Sequence, residues 1–169
     1  MDFTALKTEF SARGYDYLAD TRQGYYVNRG YHECLERHPW PFCEKEATAQ
    51  TAPFTLSDLR QVLYMVDTTN DQVLTGDDQR TVRSWDPDLT STGNPYFWYL
   101  ESNEVNLYPP NTSAAITCRY LYVPADLSGG TDTPILPTRY HTLIVDRAVV
   151  EALKDNDEYS TSREARSYW

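Results

Sequence analysis

The apolar positions along the chain change period twice. In residues 3–14, Phe3, Leu6 and Phe10 fall at i, i+3 and i+7, which is one helical face, and Gly14 stands where a helix C-cap belongs. A second helix is expected from Asp20, with its carboxylate placed to cap the first turn and Gln23 three residues on to reach back. Val27, Tyr31, Cys34, Leu35 and His38 form its apolar stripe, and Pro39 ends it, because the residue before a proline is driven out of the helical region. From about Pro41 the pattern alternates and is broken by Pro, Gly, Asn and Asp. Strands are expected at 42–51, 61–68, 72–75, 96–100, 104–108 and 114–123, with a short helix at 77–85 carrying Val82 and Trp85 on one face. The clearest hairpin sets YFWYL against EVNLY across ESN, while LTSTGNP and DLSGGTDTPILP read as loops. At Thr138 the helical period returns, with Tyr140, Leu143, Ile144, Ala148, Ala152 and Leu153 along one broad face.

These periods predict an α+β chain. Residues 1–40 supply a helical pair, 41–137 a central antiparallel β region, and 138–169 a helix and tail that pack with 1–40 as one helical bundle. No internal repeat of solenoid length is present.

Charge sharpens the division into three. The 169 residues carry 25 acids against 15 bases, a net charge of −10. Residues 46–137 hold twelve acids and four bases, so the β region bears −8 of that total, while the two ends are nearly balanced. So acidic a balance argues against a protein that grips nucleic-acid phosphates or an anionic membrane, since each such contact needs a lysine or arginine to displace counterions. Every apolar stretch is interrupted by charge well short of a membrane span, and the N-terminus lacks the basic start and apolar run of an export signal. A soluble protein, used without secretion, is expected. The three cysteines Cys34, Cys43 and Cys118 are expected as reduced, buried thiols, because a chain of this size holds together by burial alone.

Catalytic and metal-binding patterns are sparse. The sequence contains no Walker loop, no GxGxxG, no HExxH, no GxSxG and no paired CxxC. The one metal-like cluster is His32, Cys34, His38 and Cys43, but His32 and Cys34 point away from each other on a helix, so four ligands do not converge. Asp77, Asp78, Asp86 and Asp88 lack the spacing of a calcium loop and read as turn and cap residues. No catalytic residue, cofactor or metal is therefore expected, and the chain does not read as an enzyme.

The aromatic content points elsewhere. There are 14 tyrosines and four tryptophans, and arginine outnumbers lysine twelve to three. Tyr, Trp and Arg dominate the energetics of protein interfaces, because rings and planar guanidinium groups make fixed contacts at little entropic cost. A rival use of the same residues is a carbohydrate- or peptide-binding β module with Tyr96, Trp98 and Tyr99 as a stacking platform. Strand alternation counts against it, since it sends Tyr96 and Trp98 to one face and Tyr99 to the other.

Five stretches carry a resemblance that spans most of the chain: FTALKTEFSARG; VNRGYHECLERHPWPF, with Asn28, Tyr31 and Trp40; the pair GNPYFWY and VNLYPP; and RYLYVPADLSGGTDTPILPTRYHTLIVDRAVVEAL. In order and spacing they resemble the head-to-tail adaptor (connector, or neck) proteins of tailed bacteriophages. The resemblance implies a structural virion protein, assembled in the host cytoplasm. It implies a homo-oligomeric ring, typically twelvefold, that docks under the portal protein, extends the channel for double-stranded DNA without binding it specifically, and receives the stopper or tail proteins used in genome ejection. Trp40, Tyr96, Trp98 and Tyr108 match recurring positions and are expected in the interface or the core. For portal docking the expected residues are Tyr159, Arg163, Arg166, Tyr168 and Trp169, because a polar terminal segment tipped with aromatics is suited to ordering on a partner.

Overall fold

A computed structural model describes residues 1–155, which divide at Cys43 and Val123 into two units: a helical one, from Met1–Cys43 and the chain after Val123, and a β one, Glu44–Val123. The described residues contain four α-helices, α1 (Phe3–Phe10), α2 (Asp20–Glu36), α3 (Gln79–Trp85) and α4 (His141–Asp155). The chain is thus α+β, with helices from its two ends packed on each other and two β-sheets between them in sequence.

In the helical unit, Asp2 caps α1 by accepting from the Ala5 amide at 2.8 Å, and Phe3, Leu6 and Phe10 are all buried. The helix runs into a wider π-type turn, Ser11–Tyr15, where Gly14 takes φ +97°, a conformation L side chains rarely adopt. One local expectation fails. The residue capping α2 is Ala19, with no side-chain cap, and Asp20 instead receives Lys7 Nζ at 2.7 and 2.8 Å. Asp20 already has helical geometry, so its carboxylate complements the helix dipole from inside the first turn. Gln23 is buried, and it accepts from Ser11 Oγ at 3.0 Å and donates to the Leu18 carbonyl at 2.8 Å, which fixes the α1–α2 connection.

Helices α2 and α4 are in close contact at Gly30. A Cβ there would lie 2.5 Å from the Ile144 carbonyl oxygen and 2.6 Å from the Ala148 nitrogen. The buried faces around it are Tyr26, Val27, Tyr31 and Cys34 on α2, and Ile144, Val145, Ala148 and Ala152 on α4. The connection before α4 is tied to the same helices. Asn28 donates to the Leu127 carbonyl and accepts from its amide (3.0 and 2.9 Å), and the Ile135 amide donates to Tyr31 Oη at 3.2 Å.

The β unit holds eight strands: β1 (Glu44–Gln50), β2 (Phe54–Thr55), β3 (Leu59–Asp67), β4 (Gln72–Val73), β5 (Thr75–Gly76), β6 (Phe97–Glu101), β7 (Glu104–Tyr108) and β8 (Ile116–Tyr122). They form two sheets, ordered β1-β8-β3-β4 and β2-β7-β6-β5, antiparallel throughout except for the parallel pair β5·β6. The inner faces share one core: Met65, Ile116, Cys118 and Tyr120 from the first sheet, and Phe54, Val105 and Leu107 from the second. On the other face of the second sheet, Tyr99 and Tyr108 pack with Val82 of α3. The β6–β7 hairpin has a two-residue turn with positive φ at both Ser102 and Asn103 (50° and 71°), the geometry that matches strand twist. Trp85 does not share the buried face with Val82; it is 53% exposed and rests its ring on Phe97, 5.2 Å away.

Candidate functional site

For a chain with no recognisable catalytic group, the informative features are surfaces able to hold another molecule. The first lies at the end of α4. Asp155 accepts from Arg29 at 3.2 Å, from Tyr26 Oη at 3.3 Å and, at 3.5 Å, from Arg22. One turn earlier, buried Glu151 receives Arg29 Nε at 2.7 Å and also pairs with Lys154. Arg22, Tyr26 and Arg29 recur at i, i+4 and i+7, so one stripe of α2 clamps the last turn described for α4. Arg22 also lies over the rings of Tyr25 and Tyr26, at 5.1 and 4.9 Å. Those rings continue a chain of aromatic contacts through Phe10 and Tyr15 to Tyr17. Its two ends, Tyr25 and Tyr17, are exposed. The sequence reading missed this clamp, because the acids it gathers lie more than 120 residues from the arginines.

The second surface is a concave one at the other end of α2, a 370 Å³ cleft lined by Cys34, Arg37, His38, Trp40, Leu143 and Arg147. Trp40 is half-buried and fixed: its indole Nε1 donates to the Cys34 carbonyl at 3.0 Å, and its ring packs against His38, Phe42 and Tyr140. Burial pushes the Cys34 thiol up to about 12, so it stays neutral. Glu33 is held below the usual carboxylate range, chiefly by its hydrogen bond from Arg37, with burial opposing and Arg37, Lys154 and Arg147 adding electrostatically.

The aromatic positions of the β unit divide by face. Trp98 is half-buried against the shared core, Tyr108 is 4% exposed beside α3, and Tyr96 is exposed, its ring 5.8 Å from that of Tyr108. Tyr99 is 3% exposed, so Tyr96, Trp98 and Tyr99 do not form a common stacking platform, and the carbohydrate- or peptide-binding module loses its site. Of the acids considered for calcium, Asp78 caps α3 by accepting from the Arg80 amide, and Asp86 accepts from the Ser91 amide at 2.8 Å. The histidines and cysteines of the metal-like cluster have separate surroundings: His32 pairs with Asp126 at 2.6 Å, His38 packs on Trp40, and Cys34 and Cys43 are buried. Among the described residues no three His, Cys, Asp or Glu side chains gather into a metal-ligating group.

Sequence comparison decides between these readings. The family model for SU10 adaptor protein matches residues 1–169. The chain belongs to the SU10 adaptor protein family. It is a head-to-tail adaptor family of phages, a structural class rather than an enzymatic one, and the resemblance drawn from motif order holds at that level. No curated protein matches the chain. The residues named for portal docking, Tyr159, Arg163, Arg166, Tyr168 and Trp169, lie outside the described residues. The clamp on Asp155 is formed by the last of the described residues. No helix among the described residues is long and apolar enough to cross a membrane.

Proposed function

We propose that this adaptor acts in the virion neck as a homo-oligomeric ring, typically twelvefold, seated under the portal, extending the DNA channel and presenting a surface to the stopper or tail proteins. The family assignment over the whole chain carries this reading. The portal contact is placed in the segment 157–169, whose aromatic and arginine side chains are of the types that dominate protein interfaces. The exposed Tyr17 and Tyr25 and the arginine between them supply further interface chemistry on the same unit. The acidic β region supports a channel that DNA passes without sticking, since like charges repel within a screening length of about 8 to 10 Å.

Deleting residues 157–169 tests the docking assignment. The truncated protein is expected to keep its circular dichroism spectrum and melting transition but to lose portal binding, whereas the full chain forms rings visible by electron microscopy on the portal of the same phage. A truncated protein that still enters virions overturns the assignment of the tail.

A further inference from the structure

The cleft at the end of α2 combines two properties that a merely imperfect packing joint does not need. Its walls are rigid and apolar, with Trp40 held by a hydrogen bond and three neighbouring rings, and with Leu143 half-buried on α4. Its charged lining consists of two arginines, Arg37 and Arg147, in a protein whose net charge is −10. Arg147 is only 3% exposed, while the Arg37 side chain is 47% exposed and bonded to Glu33 at 2.7 Å. Both arginines lie close enough to act on Glu33 and on Cys34, where Glu33 and Asp146 act in the opposite sense.

We infer that this cleft is a binding socket for a peptide segment of a partner protein in which an aromatic residue stands next to an aspartate or glutamate. The ring fills the space between Trp40 and Leu143, and the carboxylate turns to Arg37, with Arg147 behind it. The cleft's 370 Å³ lies within the range of about 300–1,000 Å³ typical of ligand sites. A planar guanidinium suits a carboxylate, and ring against indole is a favoured stacking partner. A nucleic-acid backbone fits poorly, because it needs a row of exposed cations rather than a concavity with one of its two arginines buried. The inference concerns a contact separate from the tail and goes beyond the portal-ring reading, so it stands or falls without it.

The test follows the Trp40 indole N–H in ¹H–¹⁵N spectra of the full chain, assigned with Trp40→Phe. Two blocked dipeptides serve as probes, N-acetyl-Trp-Glu-amide and N-acetyl-Trp-Lys-amide. The acidic probe is expected to shift the Trp40 signal saturably, with Kd on the order of 1 mM, and the basic probe to leave it in place. Arg37→Glu should weaken the acidic probe about fivefold or more with the rest of the spectrum unchanged. Leu143→Phe, which extends a ring into the cleft, should block binding with both arginines intact. Equal response to the two probes, or none to either, overturns the proposal. So does a Trp40 signal that moves with protein concentration alone, which would make the occupant a second copy of this chain.

Discussion

Tyr120 shows how a single side chain links packing to pH. Its ring belongs to the core between the sheets, and its hydroxyl donates to Asp58 at 3.0 Å, where Lys45 also donates at 2.6 Å. Burial, and then the bond to Asp58, push the Tyr120 phenol up to about 12. Partial burial would raise Asp58, but Lys45 and Tyr120 outweigh it and hold the carboxyl below its ordinary value. A phenol whose folded value lies above the unfolded value of about 10 contributes stability that is complete below pH 10 and is lost as pH rises toward 12. Tyr120→Phe is therefore expected to cost about 1 kcal/mol at neutral pH, the usual worth of one hydrogen bond. The gap between wild type and variant should narrow between about pH 10 and 12, because only the wild type has this group to ionise. Urea unfolding of both proteins at pH 7, 10 and 11 measures it, and a gap that widens with pH would contradict the assignment. None of this pairing is legible locally, since Asp58 and Tyr120 are 62 positions apart. Asn28 and Tyr31 are similar: the sequence places them within a stretch that carries the family resemblance, and only the fold shows that they hold the connection leading into α4.

At the scale of elements, what the sequence makes legible depends on length. Helices α2 and α4 repeat their apolar stripe over several turns, and β6 and β7 alternate across a short polar turn, so each is readable from its own residues. Strands β2 and β5 are two residues long and carry no period, and the split into two sheets, like the parallel β5·β6 pair, depends on partners that pattern alone does not name. The α2–α4 contact has a sharper requirement than either helix alone. At Gly30 a methyl group would meet α4 backbone atoms, which have no rotamer by which to move aside. Gly30→Ala gains up to about 1 kcal/mol in helix propensity, and the overpacking it causes costs about 1–3 kcal/mol. A net loss of stability is expected, read as a lower melting temperature together with faster hydrogen exchange in α2 and α4. A variant that melts higher than wild type would mean that the helices are not in such close contact.

For the whole molecule the decisive quantity is where the charge sits. The β unit, Glu44–Val123, holds eleven acids and five bases, a net −6, and the remainder of the chain carries the other −4. Both parts are thus negative, so bringing copies of the chain together brings like charges closer. Self-association of the isolated protein should then be opposed by a repulsion that salt removes, while burial of exposed rings such as Tyr17 and Tyr25 is little affected by screening. Sedimentation velocity without portal, at about 10 mM and about 1 M sodium chloride, compares screening lengths of about 30 Å and 3 Å. The expected result is a monomer at low salt and larger species at high salt. Dissociation as salt rises would instead mean that copies are held together by ion pairs between opposite charges. Rings that form equally at both concentrations would mean that net charge does not restrain assembly before the portal is present.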